Sequence, residues 1–279
     1  MTSARPPRRA RDAAGFSTQA KKGLGQHFLH ERGVVNKIVL AVDPQPGDRI
    51  VEIGPGQGAL TFPLLDRHGA LTAIEFDRDL LIPLAEAARS HGTLTLLHAD
   101  ALDVDFRALA DADAGGDGHI RLVGNLPYNL SSPILFHALD YADAIRDMHF
   151  MLQKEVVERM AAGPGSKVYG RLSVMLQAYC AVTPLFNVAP GAFRPPPKVD
   201  SAVVRLLPRL AASIGIVDRG RFATVVRAAF GQRRKTLRNA LDGVCTPAQL
   251  ESVGIDPRAR AEQLAVADFV RLANFDAAA

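Results

Sequence analysis

Four short, largely apolar runs pace the first half of the chain: residues 49–53, 71–74, Thr93–His98 and 120–123. Runs of this length, bounded by turn-forming residues, read as buried strands. Residues 31–42 place Val34, Val35, Ile38, Val39 and Val42 at helical spacing, and residues 59–67 form a helical segment after the first strand. The resulting order, strand, helix, strand, helix, strand, loop, strand, predicts an α/β fold on a parallel, doubly wound sheet. Beyond it, Ser131 is the expected cap of a helix running towards Leu139. A fifth strand follows at 149–153, helices at 154–162 and 172–179, and strands at 185–188 and 202–207. Residues 208–216 have little periodicity. After them the pattern changes to short helices at 218–230, 233–241, 247–252 and 261–273. The expected organisation is a basic arm (1–20), an α/β domain (21–208) and a small all-α domain (209–279).

Composition narrows the class without changing that picture. With 48% hydrophobic and 22% charged residues the chain reads as globular. Cys180 and Cys245 have no CxxC spacing or histidine partner nearby, which favours buried thiols in a reducing, cytosolic setting over a disulfide. No run approaches the roughly 18 apolar residues of a spanning helix, and no apolar stretch follows the N-terminus, so neither insertion nor secretion is expected. The first twenty residues are rich in Arg, Ala and Pro; a disordered basic arm is a simpler reading than a transit peptide. Charge is unevenly placed: six bases face one acid (Asp12) in residues 1–22, and eleven face two (Asp200 and Asp218) in residues 194–238. Two basic zones on an otherwise acidic body suggest a polyanion bound at one face.

Candidate chemistry collects at the ends of the predicted strands. Gly54-Pro55-Gly56-Gln57-Gly58 follows the first strand, so backbone N–H groups can approach a ligand there. Its spacing is not GxGxxG, and the acid Glu52 just before it suits a cationic or zwitterionic ligand better than a pyrophosphate. Glu75, twenty-one residues after Gly54, ends the second strand, where a carboxylate can accept both hydroxyls of a ribose. Asp77 and Asp79 read as caps or loop acids. Asp100 ends the third strand and can accept a purine amine, whereas Asp103 and Asp105 read as loop acids. After the fourth strand, the amide of Asn125 and the carbonyl of Leu126, left outward by Pro127, suit an exocyclic amine on whose ring Tyr128 stacks. The alternative there is an ordinary turn.

Three further stretches are unusual. In Lys21-Lys22-Gly23-Leu24-Gly25-Gln26-His27-Phe28-Leu29, His27 reads as a ligand contact or a cap. In Phe193-Arg194-Pro195-Pro196-Pro197-Lys198-Val199-Asp200-Ser201, Phe193 is either a second flat face opposite Tyr128 or core. In residues 232–239, Arg234 and Arg238 fall at i, i+4 on one expected helix face beside Arg233 and Lys235, and no acid pairs with them. That face is either phosphate-binding or merely solvated.

Taken together, Lys22 to Leu29, Glu52-Ile53-Gly54-Pro55-Gly56, Asn125-Leu126-Pro127-Tyr128-Asn129, Phe193 to Ser201 and Gln232-Arg233-Arg234-Lys235-Thr236 resemble, in order, the motifs of the ribosomal small-subunit RNA adenine N6,N6-dimethyltransferases. The likeness runs from about residue 20 to 275. It implies a Rossmann-like class I methyltransferase sheet with S-adenosylmethionine held by His27, Leu29, Gly54, Gly56, Glu75, Asp100 and Asn125. Position 27 is Asn in many relatives; His keeps a donor and an acceptor. Asn125, Leu126, Pro127 and Tyr128 would be catalytic, and Tyr128, Phe193, Arg233, Arg234, Lys235 and Arg238 would meet the RNA. The family's substrate is a pair of adjacent adenosines in a hairpin near the 3′ end of small-subunit (16S) rRNA. A cytoplasmic monomer acting on a pre-30S particle, with no metal and no membrane, is the expectation. A large-subunit enzyme of the antibiotic-resistance type and a non-catalytic assembly factor are the alternatives.

Overall fold

The computed structural model describes residues 21–112, 118–232 and 234–275. The basic arm, the centre of the 111–119 excursion and Arg233 lie outside the described residues. The strands are β1 (Phe28–Leu29), β2 (Ile50–Ile53), β3 (Ala70–Glu75), β4 (Thr93–His98), β5 (Ile120–Asn125), β6 (Ile145–Gln153), β7 (Cys180–Val188), β8 (Phe193–Arg194) and β9 (Ser201–Pro208). Seven form one sheet in the order β4-β3-β2-β5-β6-β9-β7, and β1 pairs antiparallel with β8 in a separate ladder. β4, β3, β2, β5 and β6 are parallel neighbours. Among these five strands, chain order runs outward in both directions from the β2–β5 pair, and a crevice opens beyond the C-terminal ends of strands at such a switch point.

Contacts divide the described chain into two compact units. One contains residues up to Lys154 and Leu185–Arg205; the other contains Glu155–Pro184 and the chain from Leu206 onward. Relative to a single boundary at 208/209, the difference is that residues 155–184 cluster with the C-terminal helices.

In the first unit, β2 is buried throughout and β5 is buried up to its last residue, which explains why both read as largely apolar runs, with Glu52 and Arg121 as their buried charged members. Helix α1 (Arg32–Val42) buries Val35, Ile38, Val39 and Val42, and Glu31 caps it by accepting from the N–H groups of Gly33 and Val34. It is followed by α2 (Thr61–His68), α3 (Arg78–Ala88), α4 (Phe106–Asp111) and α5 (Ser131–Asp140). Asp77 caps α3. Asp105 is the N-cap of α4 rather than a loop acid, with Phe106 and Ala110 buried beneath it. Ser131 does not cap α5: it is the first helical residue, and its hydroxyl donates to the Tyr128 carbonyl (3.0 Å).

Two features fix the height of β5. At its start, the Arg121 guanidinium is buried between Asp48 (2.6 Å) and Asp147 (2.8 Å) and also donates to the Val42 carbonyl (2.6 Å). Near its end, a Cβ on Gly124 would stand 2.5 Å from the Ile53 carbonyl oxygen, so only glycine lets β5 lie this close to β2 beside the crevice.

The second unit contains α6 (Lys154–Ala161, whose first residue belongs to the first unit), α7 (Arg171–Tyr179), α8 (Ala211–Ile214), α9 (Arg219–Gly231), α10 (Leu237–Ala240), α11 (Pro247–Ser252) and α12 (Val266–Asn274). Phe230 packs against Tyr169 and Phe269, and the Tyr169 hydroxyl donates to the Leu264 carbonyl (2.9 Å). The helix expected at 233–241 is shortened to α10, because Thr236 is extended (ψ 160°) and the N–H groups of Leu237 and Arg238 bond to the Ala259 and Pro257 carbonyls. Arg234 and Arg238 therefore do not share one helical face, although both are exposed, as is Lys235. The segment expected to be one helix at 261–273 is broken at Ala265 (ψ 162°), which is extended and stands at the N-cap position of α12 without a side-chain cap.

Candidate active site

The four strand ends meet. Gly54 directly after β2, Glu75 ending β3, Asp100 two residues beyond β4 and Asn125 ending β5 line one cavity, together with His27, Leu29, Gly56 and Leu126 to Tyr128. Parallel register brings this about: Ile53 lies beside Ile74, and Glu52 beside Val123, so the residues that follow emerge at one sheet edge.

The glycine loop needs its glycines. Gly54, Gly56 and Gly58 have φ of 69°, 57° and 85°, a region that L side chains rarely adopt. A Cβ at Gly56 would meet the Phe28 ring at 3.3 Å, and one at Gly58 the Phe62 ring at 2.4 Å. The Gly56 N–H donates to Glu75 Oε2 (3.2 Å) and the Asp77 N–H to Glu75 Oε1 (2.7 Å), which fixes the Glu75 carboxylate at the cavity wall. Burial raises the Glu75 pKa, while these two donors oppose the shift.

Beneath the loop, Glu52 is fully buried and accepts from the Thr61 hydroxyl (2.6 Å). Burial pushes its pKa up to about 8, against the Thr61 hydrogen bond and with a further push from the Glu75 charge. Among the described residues, three acids, Glu52, Glu75 and Asp100, line the cavity, and neither Lys nor Arg does. Such a lining disfavours a pyrophosphate and suits a ligand carrying positive charge. Phe76, Leu80 and Ile134 add apolar wall.

At the β5 end, the Asn125 amide is oriented by its neighbours. Nδ2 donates to the His27 carbonyl (2.9 Å), which leaves Oδ1 as the available acceptor; among the described residues no donor bonds to it. The Tyr128 hydroxyl is tied to Ser201 Oγ (2.6 Å), and one face of its ring lies on the His27 ring (centroids 5.5 Å apart, 29° between planes). His27 Nδ1–H in turn donates to the Pro195 carbonyl (2.8 Å). His27 is thus a wall residue, not a helix cap.

Phe193 corrects an expectation. It is 2% exposed, packed in the core cluster that includes Leu29 and Val203, and does not line the cavity. Pairing with β1 sets Phe193 opposite Leu29 and turns its ring into the core, so it presents no second face to a base. Arg234, Lys235 and Arg238 belong to the second unit.

Ser201 and the residues that fasten the 21–29 segment carry geometry that sequence reading missed. Gln26 Nε2 donates to Asp77 Oδ2 (2.9 Å), Gln26 Oε1 accepts from the Lys21 N–H (2.8 Å), and Lys21 Nζ pairs with Asp77 and with Asp79 (2.8 Å). The only trace of them in the sequence is the clustering of Lys21, Gln26 and His27 around two glycines. Their partner is some fifty residues away, beyond the reach of periodicity.

A parallel sheet with a cavity at its switch point, a glycine loop after the first sheet strand and a carboxylate ending the second define a Rossmann-like class I methyltransferase. The family model for ribosomal RNA adenine dimethylases matches residues 17–277, and the chain belongs to that family. Ribosomal RNA small subunit methyltransferase A of Xanthomonas campestris pv. campestris (strain B100) is 71% identical over 265 residues, covering 95% of this chain and 99% of the relative. The protein of that name from Xanthomonas oryzae pv. oryzae (strain PXO99A) is 69% identical over the same length. Among solved structures, a dimethyladenosine transferase from Plasmodium falciparum superposes with a TM-score of 0.75 at 26% identity, covering 88% of this chain and 96% of that one. The 23S rRNA methyltransferase ErmE gives 0.66 at 25% identity, covering 89% and 98%.

Proposed function

We propose that this protein uses S-adenosylmethionine to dimethylate N6 of two adjacent adenosines in the 3′-terminal hairpin of 16S rRNA, within a partly assembled small subunit in the cytoplasm. The observation that carries the reading is the locked amide of Asn125, which presents an acceptor at the cavity that also holds Glu75 and Asp100. Identity of 69–71% to small-subunit methyltransferases supports the choice of RNA over the large-subunit alternative.

The cavity fits the cofactor by its donor set. Glu75 would take the ribose hydroxyls, Asp100 the purine amine, and the acidic lining the positive charge. S-adenosylmethionine, when bound, supplies a methyl group activated as a sulfonium. The rest falls to the chain's own residues. Adenine's amine is a poor nucleophile because its lone pair is delocalised into the ring. Asn125 Oδ1 and the Leu126 carbonyl accept its two hydrogens, favouring the tetrahedral nitrogen and stabilising the positive charge that develops there. Tyr128, held by Ser201 and backed by His27, offers its other face to a base already unstacked from the RNA. No dedicated base is needed, since the methylated ammonium loses its proton to water. For the second transfer only one hydrogen remains, and one of the two acceptors releases its hold.

Labelled methyl transfer to undermethylated small subunits tests this, comparing wild type with Asn125→Ala and Tyr128→Ala. Both variants are expected to fail, and unimpaired transfer by the pair would sink the mechanism. Primer extension across the product separates a small-subunit from a large-subunit site. A Glu75→Ala protein that restores assembly in a deletion strain would reveal a binding role separable from catalysis.

A further inference from the structure

We propose that Gln26 and Asp77 are positioning residues that set the orientation of the Asn125 amide, and so link the ribose end of the cavity to the amine end. The inference rests on the reading of Asn125 given above.

Asp77 is 4% exposed although it lies just past a strand end, and each of its polar groups is used. Its N–H goes to Glu75 Oε1, Oδ2 accepts from Gln26, and Oδ1 takes the Lys21 ammonium as well as the Asp79 N–H (3.1 Å). Capping α3 needs only the last of these. The bonds from Gln26 and Lys21 commit a buried carboxylate to holding the 21–29 segment, and both of these partners donate to charge. The residue after Gln26 is His27, whose carbonyl receives Asn125 Nδ2 (2.9 Å). An unbroken path therefore runs from Glu75 through Asp77, Gln26 and the His27 carbonyl to the amide. An amide has two-fold ambiguity: turned by 180° it would present N–H₂ to the adenine amine, donor against donor. The His27 carbonyl excludes that orientation only while the segment is held in place. β1 pairing with β8 begins at Phe28, so it secures the segment beyond His27, while Gln26 secures it before.

The test uses full-length protein and undermethylated small subunits at saturating S-adenosylmethionine. Gln26→Ala leaves the α3 cap untouched and is the primary variant; Asp77→Ala removes both functions, and Asp77→Asn retains an acceptor for Gln26. The expectation for Gln26→Ala is a kcat lower by roughly 10- to 100-fold, the scale of a small misplacement of a reacting group, with an unchanged KM for the particle. The share of monomethylated product should rise, since the second transfer depends most on correct acceptor geometry. Asp77→Asn should recover much of what Asp77→Ala loses. Independently of turnover, exchange of the Asn125 side-chain amide protons, assigned by their absence in Asn125→Ala, should speed up in Gln26→Ala.

Wild-type kcat, product ratio and amide exchange in Gln26→Ala would overturn the inference. So would a defect explained wholly by weaker S-adenosylhomocysteine binding in calorimetry, or by a smaller folded fraction with an unaltered product ratio. If wild type itself leaves the adenosines unmethylated, the underlying reading fails rather than this one.

Discussion

The cavity at the strand ends and the basic segment around Arg234 handle charge in opposite ways. At the cavity, Glu52 and Glu75 are buried, each is held by named donors, and the Glu52 and Glu75 pKa values are raised. In the basic segment, Arg234, Lys235 and Arg238 are exposed and lie on a turn and one short helix. The first arrangement fixes atoms; the second supplies charge with little demand on position. Chemistry that must discriminate one nitrogen needs the former, while holding a phosphate backbone tolerates the latter.

Four measurements can break that contrast or sharpen it. Asn125→Ala should lower single-turnover methyl transfer by roughly 10²- to 10³-fold, as for loss of one preorganised hydrogen-bonding group at a transition state; a loss of only a few-fold would mean that atom placement matters little at this cavity. Tyr128→Ala should cost about 1–3 kcal/mol in kcat/KM, the scale of one base stacked on an aromatic ring. Tyr128→Phe, which keeps the ring and gives up only the hydrogen bond with Ser201, should retain most of the activity.

The third measurement concerns stability of the protein without cofactor. Glu52 has a folded pKa of about 8 against 4.5 for an unperturbed glutamate, so the folded state binds more protons between those values. Its contribution is present below pH 4.5 and is lost as pH rises towards 8, at about 1.4 kcal/mol per pH unit. Relative to wild type, Glu52→Gln, which cannot ionise, should therefore gain stability with pH across that window in chemical denaturation. Parallel curves would show that Glu52 is already ionised. Smallest per residue is the effect in the basic segment. Replacing Arg234, Lys235 or Arg238 by Gln should reduce the salt slope of RNA binding by about 1 for each phosphate no longer neutralised, with kcat at saturating RNA maintained. A fall in kcat instead would place these residues among the positioned groups.

How much of this is legible in the sequence follows the same divide. The apolar run Thr93–His98 coincides with β4 to the residue, although β4 is a half-exposed edge strand, and those of β2, β3 and β5 agree to within a residue or two; for β2 and β5 the reason is burial on both faces, which makes parallel strands appear as short, largely apolar runs. Their polar ends are therefore legible too. Long-range pairing is not. β1 and β8 are two residues each and have no period, yet their ladder decides that Phe193 is core. The Lys21, Gln26 and Asp77 clamp joins segments some fifty residues apart. The helix expected around Arg234 is cut short for a related reason: its first amides find carbonyls in the 257–259 loop, a competitor that helical spacing does not reveal. α4 is hidden by its composition, in which Asp105 and Asp111 bracket a single turn and a half.

The hydrogen bond from Asn125 to the His27 carbonyl also bears on which side chains this position can accept. A carboxylate would be the stronger acceptor for an amine and differs from the amide by a single group. In an Asn125→Asp protein, however, one carboxylate oxygen would face the His27 carbonyl at hydrogen-bond distance, oxygen against oxygen, beside the acids already lining the cavity. The new acid would have to carry a proton to stay in place, and would then lose the advantage for which it was introduced. The amide is thus the side chain that satisfies both neighbours at once: a donor to the wall behind it and an acceptor to the base in front.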